Sequence, residues 1–126
     1  EHRLVLIFIY FFKNILSIND IQTLLGPLTD KYFKSEGNMD LTSIYTEVFS
    51  MEKGQIEALQ KELLERYEIA QETFEDAAEE DKDFLKLFSF ICLLSFDVYV
   101  KKMLIEQMID DLRASTDHDS KHKSKK

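Results

Sequence analysis

Between Asp40 and Tyr67 the apolar residues Leu41, Tyr45, Val48, Ile56, Leu59, Leu63 and Tyr67 recur with the three-and-four stepping of an α-helix, with Ile44, Phe49 and Leu64 beside them. Glu52, Lys53, Glu57, Lys61, Glu65 and Arg66 take most of the opposite side, so the stretch reads as one long helix with an apolar face. At ~1.5 Å per residue it would run roughly 40 Å, longer than a compact domain of this size needs as a free rod. Other helices are therefore expected to wrap it.

Three Gly and one Pro in 126 residues leave little material for the tight turns of an all-β domain, which makes the class all-α. The length suits one domain, taken as residues 1–114. Cys92 is the single cysteine, so no intrachain disulfide can form and an intracellular, cytoplasmic setting is expected. A formal charge of -8 opposes phosphate binding and speaks against nucleic acid. The longest apolar run, Leu4 to Phe12, has nine residues, about half of the ~20 that a membrane-spanning helix requires. Neither membrane insertion nor a signal peptide is expected, because Lys13, Asn14 and Asp20 follow the run without a small-residue cleavage site.

In chain order, Arg3 to Leu16 is apolar nearly all round and reads as a helix buried in the middle. Asn19 or Asp20 can cap a second helix reaching about Ser35, which Gly26-Pro27 should kink or split. Glu36-Gly37-Asn38 closes that helix, and Asp40 or Thr42 caps the long one. The segment 68–83, with eight carboxylates, fits a short helix packed through Ile69, Phe74 and Ala77 or Ala78. Asp81 or Asp83 then caps a second very apolar, buried helix from Phe84 to Phe96, and Asp97 caps a last one through Leu112. Residues 115–126 are polar, low in complexity and expected to be a disordered tail.

Candidate chemistry is sparse, and the chain reads as a non-enzyme without cofactor or metal. His118 and His122 have the i,i+4 spacing of a helical metal pair but lie in the polar tail. Cys92 sits in an apolar run, where a thiol behaves as a small hydrophobe. The acidic segment lacks EF-hand spacing, and Gly26-Pro27-Leu28 lacks the glycines of a phosphate loop. What stands out is large apolar side chains, ten Phe and five Tyr, some on helices without a polar face. Such surface suits a partner's amphipathic helix.

Several short pieces, in order and spacing, resemble the BART domain, the all-helical effector module that binds Arf-like small GTPases. They are Asp30-Lys31-Tyr32 with Phe33, then Ile44-Tyr45-Thr46 with Phe49, Leu63-Leu64, Phe74, and Phe96 to Met103 with Lys101. The resemblance spans residues 4 to 112. Three departures accompany it: Gly26-Pro27 in the second helix, Val100 in place of an aromatic before Lys101, and an unusually acidic connector after Tyr67.

The resemblance implies a BART-like array of about five to six helices. It further implies a hydrophobic groove between the third, fourth and fifth helices that accepts the N-terminal amphipathic helix of a GTP-loaded Arf-like GTPase. On this sequence the groove falls on Leu59, Leu63, Tyr67, Phe74, Ala77, Phe84, Leu87, Phe88 and Ile91. Taken singly, each of these suits core as well as groove. Four Leu or Ile anchors of a guest helix would gross ~6 to 12 kcal/mol before ordering costs. A monomeric effector, cytoplasmic or at the cilium or basal body, is what the resemblance implies. The alternative is a homodimerising helical scaffold or an interaction module unrelated to GTPases.

Overall fold

The computed structural model describes residues 2–33, 37 and 39–124, with side chains as far as Asp117. These residues are all-α, with no strand among them. The helices are α1 (His2–Phe12), α2 (Ile18–Tyr32), α3 (Leu41–Ser50), α4 (Glu52–Gln71) and α5 (Glu79–Ser124). Where the sequence suggests one domain over residues 1–114, packing divides the chain into two units. Unit 1 is Glu1–Phe49 with Lys102–Lys126, and unit 2 is Ser50–Lys101.

Unit 1 holds the best-buried residues. Phe8 of α1, Leu16, Ile21 and Leu25 of α2, and Ile109 of α5 form one cluster, with Ile44, Tyr45, Phe49 and Ile105 packed against it. Leu41, at the start of α3, is fully buried. Aromatic rings close the cluster, Phe8 meeting Phe49 at 5.6 Å and Tyr45 at 6.4 Å between centroids. Arg113 ties α5 to α2, donating from Nη2 to Asp20 Oδ1 at 2.7 Å and to Thr23 Oγ1 at 3.0 Å.

Local expectations are corrected at several points. α1 ends at Phe12, and it is not buried all round: Phe8 is buried, while Leu6, Tyr10 and Phe11 are exposed. Ser17, not Asn19 or Asp20, caps α2, its hydroxyl accepting from the Asp20 N–H at 3.1 Å. Asp20 is thereby free to pair with Arg113. Pro27 neither splits nor ends α2, because the Leu24, Leu25 and Leu28 face is held on the unit 1 cluster on both sides of it. Asp40 caps α3 by accepting the Ser43 N–H at 2.8 Å, and this holds its carboxyl below the usual range. The turn read at Glu36-Gly37-Asn38 involves residues outside the described set.

The long helix from Asp40 to Tyr67 is two helices. They part at Met51, within Ser50-Met51-Glu52-Lys53-Gly54, where the one apolar side chain is exposed and Gly54 weakens the helix. Conversely, the two helices expected over residues 84–112 are one, α5, since no Gly or Pro interrupts the ladder and Asp97 is used as an ion-pair partner instead of a cap. α5 continues to Ser124, into the segment read as a polar tail, where the side chains beyond Asp117 lie outside the described set.

Candidate functional site

All nine residues expected to line a groove fall in unit 2, which is built from α4 and the first part of α5. The segment expected to form a short acidic helix does not. Ile69 and Ala70 belong to the last turns of α4, residues 72–78 make turns, and Glu79, Glu80 and Asp81 open α5. Carboxylates at a helix start meet its unpaired N–H groups, a better position for them than a helix interior. Thr73 stops α4 by donating its hydroxyl back to the Ala70 carbonyl at 2.6 Å.

Phe74 adopts φ 56°, the left-handed region that a bulky side chain seldom occupies. Its ring is nearly half exposed, so no buried contact of its own explains the conformation. The Ala77 N–H bonds its carbonyl at 3.2 Å, and Ala77 is half-buried in the same turn.

Antiparallel contacts join α4 to α5. The Arg66 guanidinium bonds Asp97, the Tyr67 ring meets Phe90 edge-on at 5.7 Å, and the Lys86 ammonium bonds both the Gln71 carbonyl and, at 3.0 Å, Glu75. These bonds pull the Asp97 and Glu75 carboxyls down from their ordinary values and raise the Arg66 guanidinium. Lys86, Phe90 and Asp97 therefore mark the face of α5 turned to α4. On α4, Leu59, Leu63 and Tyr67 share a stripe with the fully buried Ala70.

The expected groove residues divide at this point. Leu87 joins Tyr67, Gln71, Asp83, Lys86 and Phe90 around a cavity of about 260 Å³. It is smaller than a small-molecule site and holds about one large side chain. At 3.6 residues per turn, Phe84, Phe88 and Ile91 lie about 100° to 160° round α5 from Phe90, on another face. The Phe84 and Phe88 rings stack there at 6.2 Å, and all three side chains are at least half exposed. The expectation that Phe84 to Phe96 is buried is thus wrong: two helices cannot cover a segment that is apolar on every side. Phe90, which the sequence reading did not place among the groove residues, lines the same cavity as Tyr67 and Leu87, and its place seven residues before Asp97 becomes visible only once Asp97 is paired.

Cys92 is half-buried on α5. Among the described residues no cluster of three or more His, Cys, Asp or Glu is placed to hold a metal ion, and no helix is long and apolar enough to cross a membrane. The side chains of His118 and His122 lie outside the described set. Comparison with protein-family models, curated proteins and solved structures finds no match to this chain.

Proposed function

We propose that the chain is a non-catalytic binding module whose α4–α5 hairpin takes an amphipathic helix from a protein partner, as the resemblance to BART-like domains implies. The observation that carries this reading is the apolar side of the hairpin. Leu59 and Tyr67 are 40 % and 50 % exposed and flank half-buried Leu63, next to a cavity that admits one further large side chain. An apolar stripe left open in this way, rimmed by charges, is the surface that a guest helix with i, i+3 and i+4 anchors fits.

On this reading the fold is a BART-like helical array and the guest is the N-terminal helix of an Arf-like GTPase in its GTP state. The effector distinguishes nucleotide states because the helix is free to dock only in one of them, so differential affinity selects that state. Glu68, Glu72 and Glu75 would meet basic residues beside the guest helix and speed encounter. The protein would act in the cytoplasm, at the cilium or basal body.

The test is a pull-down of the full chain with Arf-like GTPases loaded with a non-hydrolysable GTP analogue or GDP, repeated with Leu63→Asp and Tyr67→Asp and with helicity checked by circular dichroism. Binding to the GTP form, lost in both variants, supports the reading. Equal capture of both nucleotide forms, or capture unaffected by the substitutions, refutes it.

A further inference from the structure

Residues 2–19 carry Arg3 and Lys13 and no carboxylate, in a chain whose formal charge is -8. Unit 2 holds thirteen carboxylates against six Lys and Arg, and unit 1 eleven against ten, so the negative excess belongs to unit 2. Unit 1 is close to neutral. Its two cations stand at either end of α1, where the Lys13 N–H still bonds the Ile9 carbonyl at 2.9 Å. At about 100° per residue, Arg3, Leu6, Ile9, Tyr10 and Lys13 fall within about 120° of one another, and Phe8, in the unit 1 core, lies on the opposite side.

All five of these side chains are exposed. Among the described residues neither cation pairs with a carboxylate, and the Lys13 ammonium rests over the Tyr10 ring, 4.8 Å from its centroid. Ile15 and Ile18, just beyond, are exposed as well. Beside Leu6 a hollow of about 410 Å³ opens between α1 and α2, lined by His2, Val5, Leu6, Thr29 and Phe33. The Thr29 hydroxyl is turned to the Leu25 carbonyl of its own helix, which leaves His2 as the polar group at the hollow.

We propose that this outer face of α1 docks on the anionic surface of a lipid bilayer, lying along it without crossing it. Charge decides the occupant. A second copy is disfavoured, because pairing α1 with α1 sets cation against cation whether the helices run parallel or antiparallel. A bilayer needs only one helix face: apolar side chains that reach the acyl boundary, a Tyr whose hydroxyl stays among the headgroups, and Lys or Arg with buried stems and charges on the phosphates. Arg3 and Lys13 stand about 15 Å apart along the helix, far enough to meet separate headgroups. The hollow beside Leu6 accepts the end of an acyl chain. The face lies in unit 1 and the proposed guest-helix site in unit 2, so each stands or falls independently of the other.

Co-sedimentation of the full chain with vesicles of phosphatidylcholine, alone or mixed with phosphatidylserine, tests it. The mixed vesicles should bind roughly tenfold or more tightly than the neutral ones, and about 0.5 M salt should erase most of that difference. Arg3→Glu with Lys13→Glu should abolish the preference. Leu6→Ser with Tyr10→Ser should lower binding to the mixed vesicles about tenfold or more, with helicity by circular dichroism unchanged in both variants. Lys121→Ser, Lys123→Ser, Lys125→Ser and Lys126→Ser together should leave binding as in the wild type. The proposal is overturned by a chain that binds neither vesicle, by equal binding to both, by binding that survives the α1 substitutions, or by binding lost with the four C-terminal lysines. Self-association abolished by Leu6→Ser with Tyr10→Ser, without vesicle binding, would assign the face to a second copy and overturn it too.

Discussion

Arg66 grips Asp97 through two hydrogen bonds, Nε to Oδ2 at 3.0 Å and Nη2 to Oδ1 at 3.3 Å, across 31 residues of sequence. With Tyr67 against Phe90, this pair sets which face of α5 looks at α4. Asp97→Asn keeps the shape of the side chain but removes its charge. It should lower the thermal midpoint by no more than a few degrees, because the pair is partly exposed. A double-mutant cycle with Arg66→Gln should show coupling between the two positions; strict additivity would mean that the pair does not hold the hairpin.

Acid should weaken the same hairpin. The folded-state values of Asp97 and Glu75 lie below those of the free side chains, Asp97 through its hydrogen bond to Arg66 and Glu75 through that to Lys86. As pH falls, the unfolded chain therefore takes up protons first. The contribution to stability is complete above the ordinary carboxylate values of about 3.9 and 4.3 and is lost as pH drops through and below them. Thermal melts between pH 6 and 3 should show this loss, with a smaller slope in Asp97→Asn and Glu75→Gln.

Phe74→Gly separates backbone from side chain. Glycine occupies positive φ without steric cost, so relief of strain at this position should stabilise the fold by about 1 kcal/mol or leave it unchanged. If the exposed ring at the connector contributes to partner capture, the same variant should bind less while melting no lower. A drop in stability would show that the ring packs more than its exposure suggests.

Leu41 is fully buried and Leu64 is 66 % exposed, although both belong to the stretch that reads as one helix. Leu41→Ala should cost about 2–5 kcal/mol in chemical denaturation, and Leu64→Ala less than about 0.5 kcal/mol. Similar losses at both sites would mean that unit 2 buries the α4 side as deeply as unit 1 buries α3.

Gly54 lies in the third position of α4 with nothing within 4 Å of where a Cβ would stand. Gly54→Ala should therefore raise stability by up to about 1 kcal/mol through helix propensity alone. Helicity by circular dichroism should rise with it. A destabilised variant would show that the break at Met51 requires the freedom of glycine beside it.

The sequence by itself determined the helical class and the apolar residues of α2 that face a core, narrowed the cap after the Glu36-Gly37-Asn38 stretch to Asp40 or Thr42, and marked Phe84 to Phe96 as apolar on nearly every side, although it read that segment as buried. Local periodicity and capping chemistry suffice for these, because they depend on neighbours one turn away. Tertiary structure alone decided that the stretch after Asp40 parts at Met51 and that Asp97 serves as an ion-pair partner inside one continuous α5. It also decided that Phe90 faces Tyr67 while Phe84, Phe88 and Ile91 face elsewhere. A helix that is apolar on every side carries no marker of which face is to be covered, so only the contacts made by α4 could assign it.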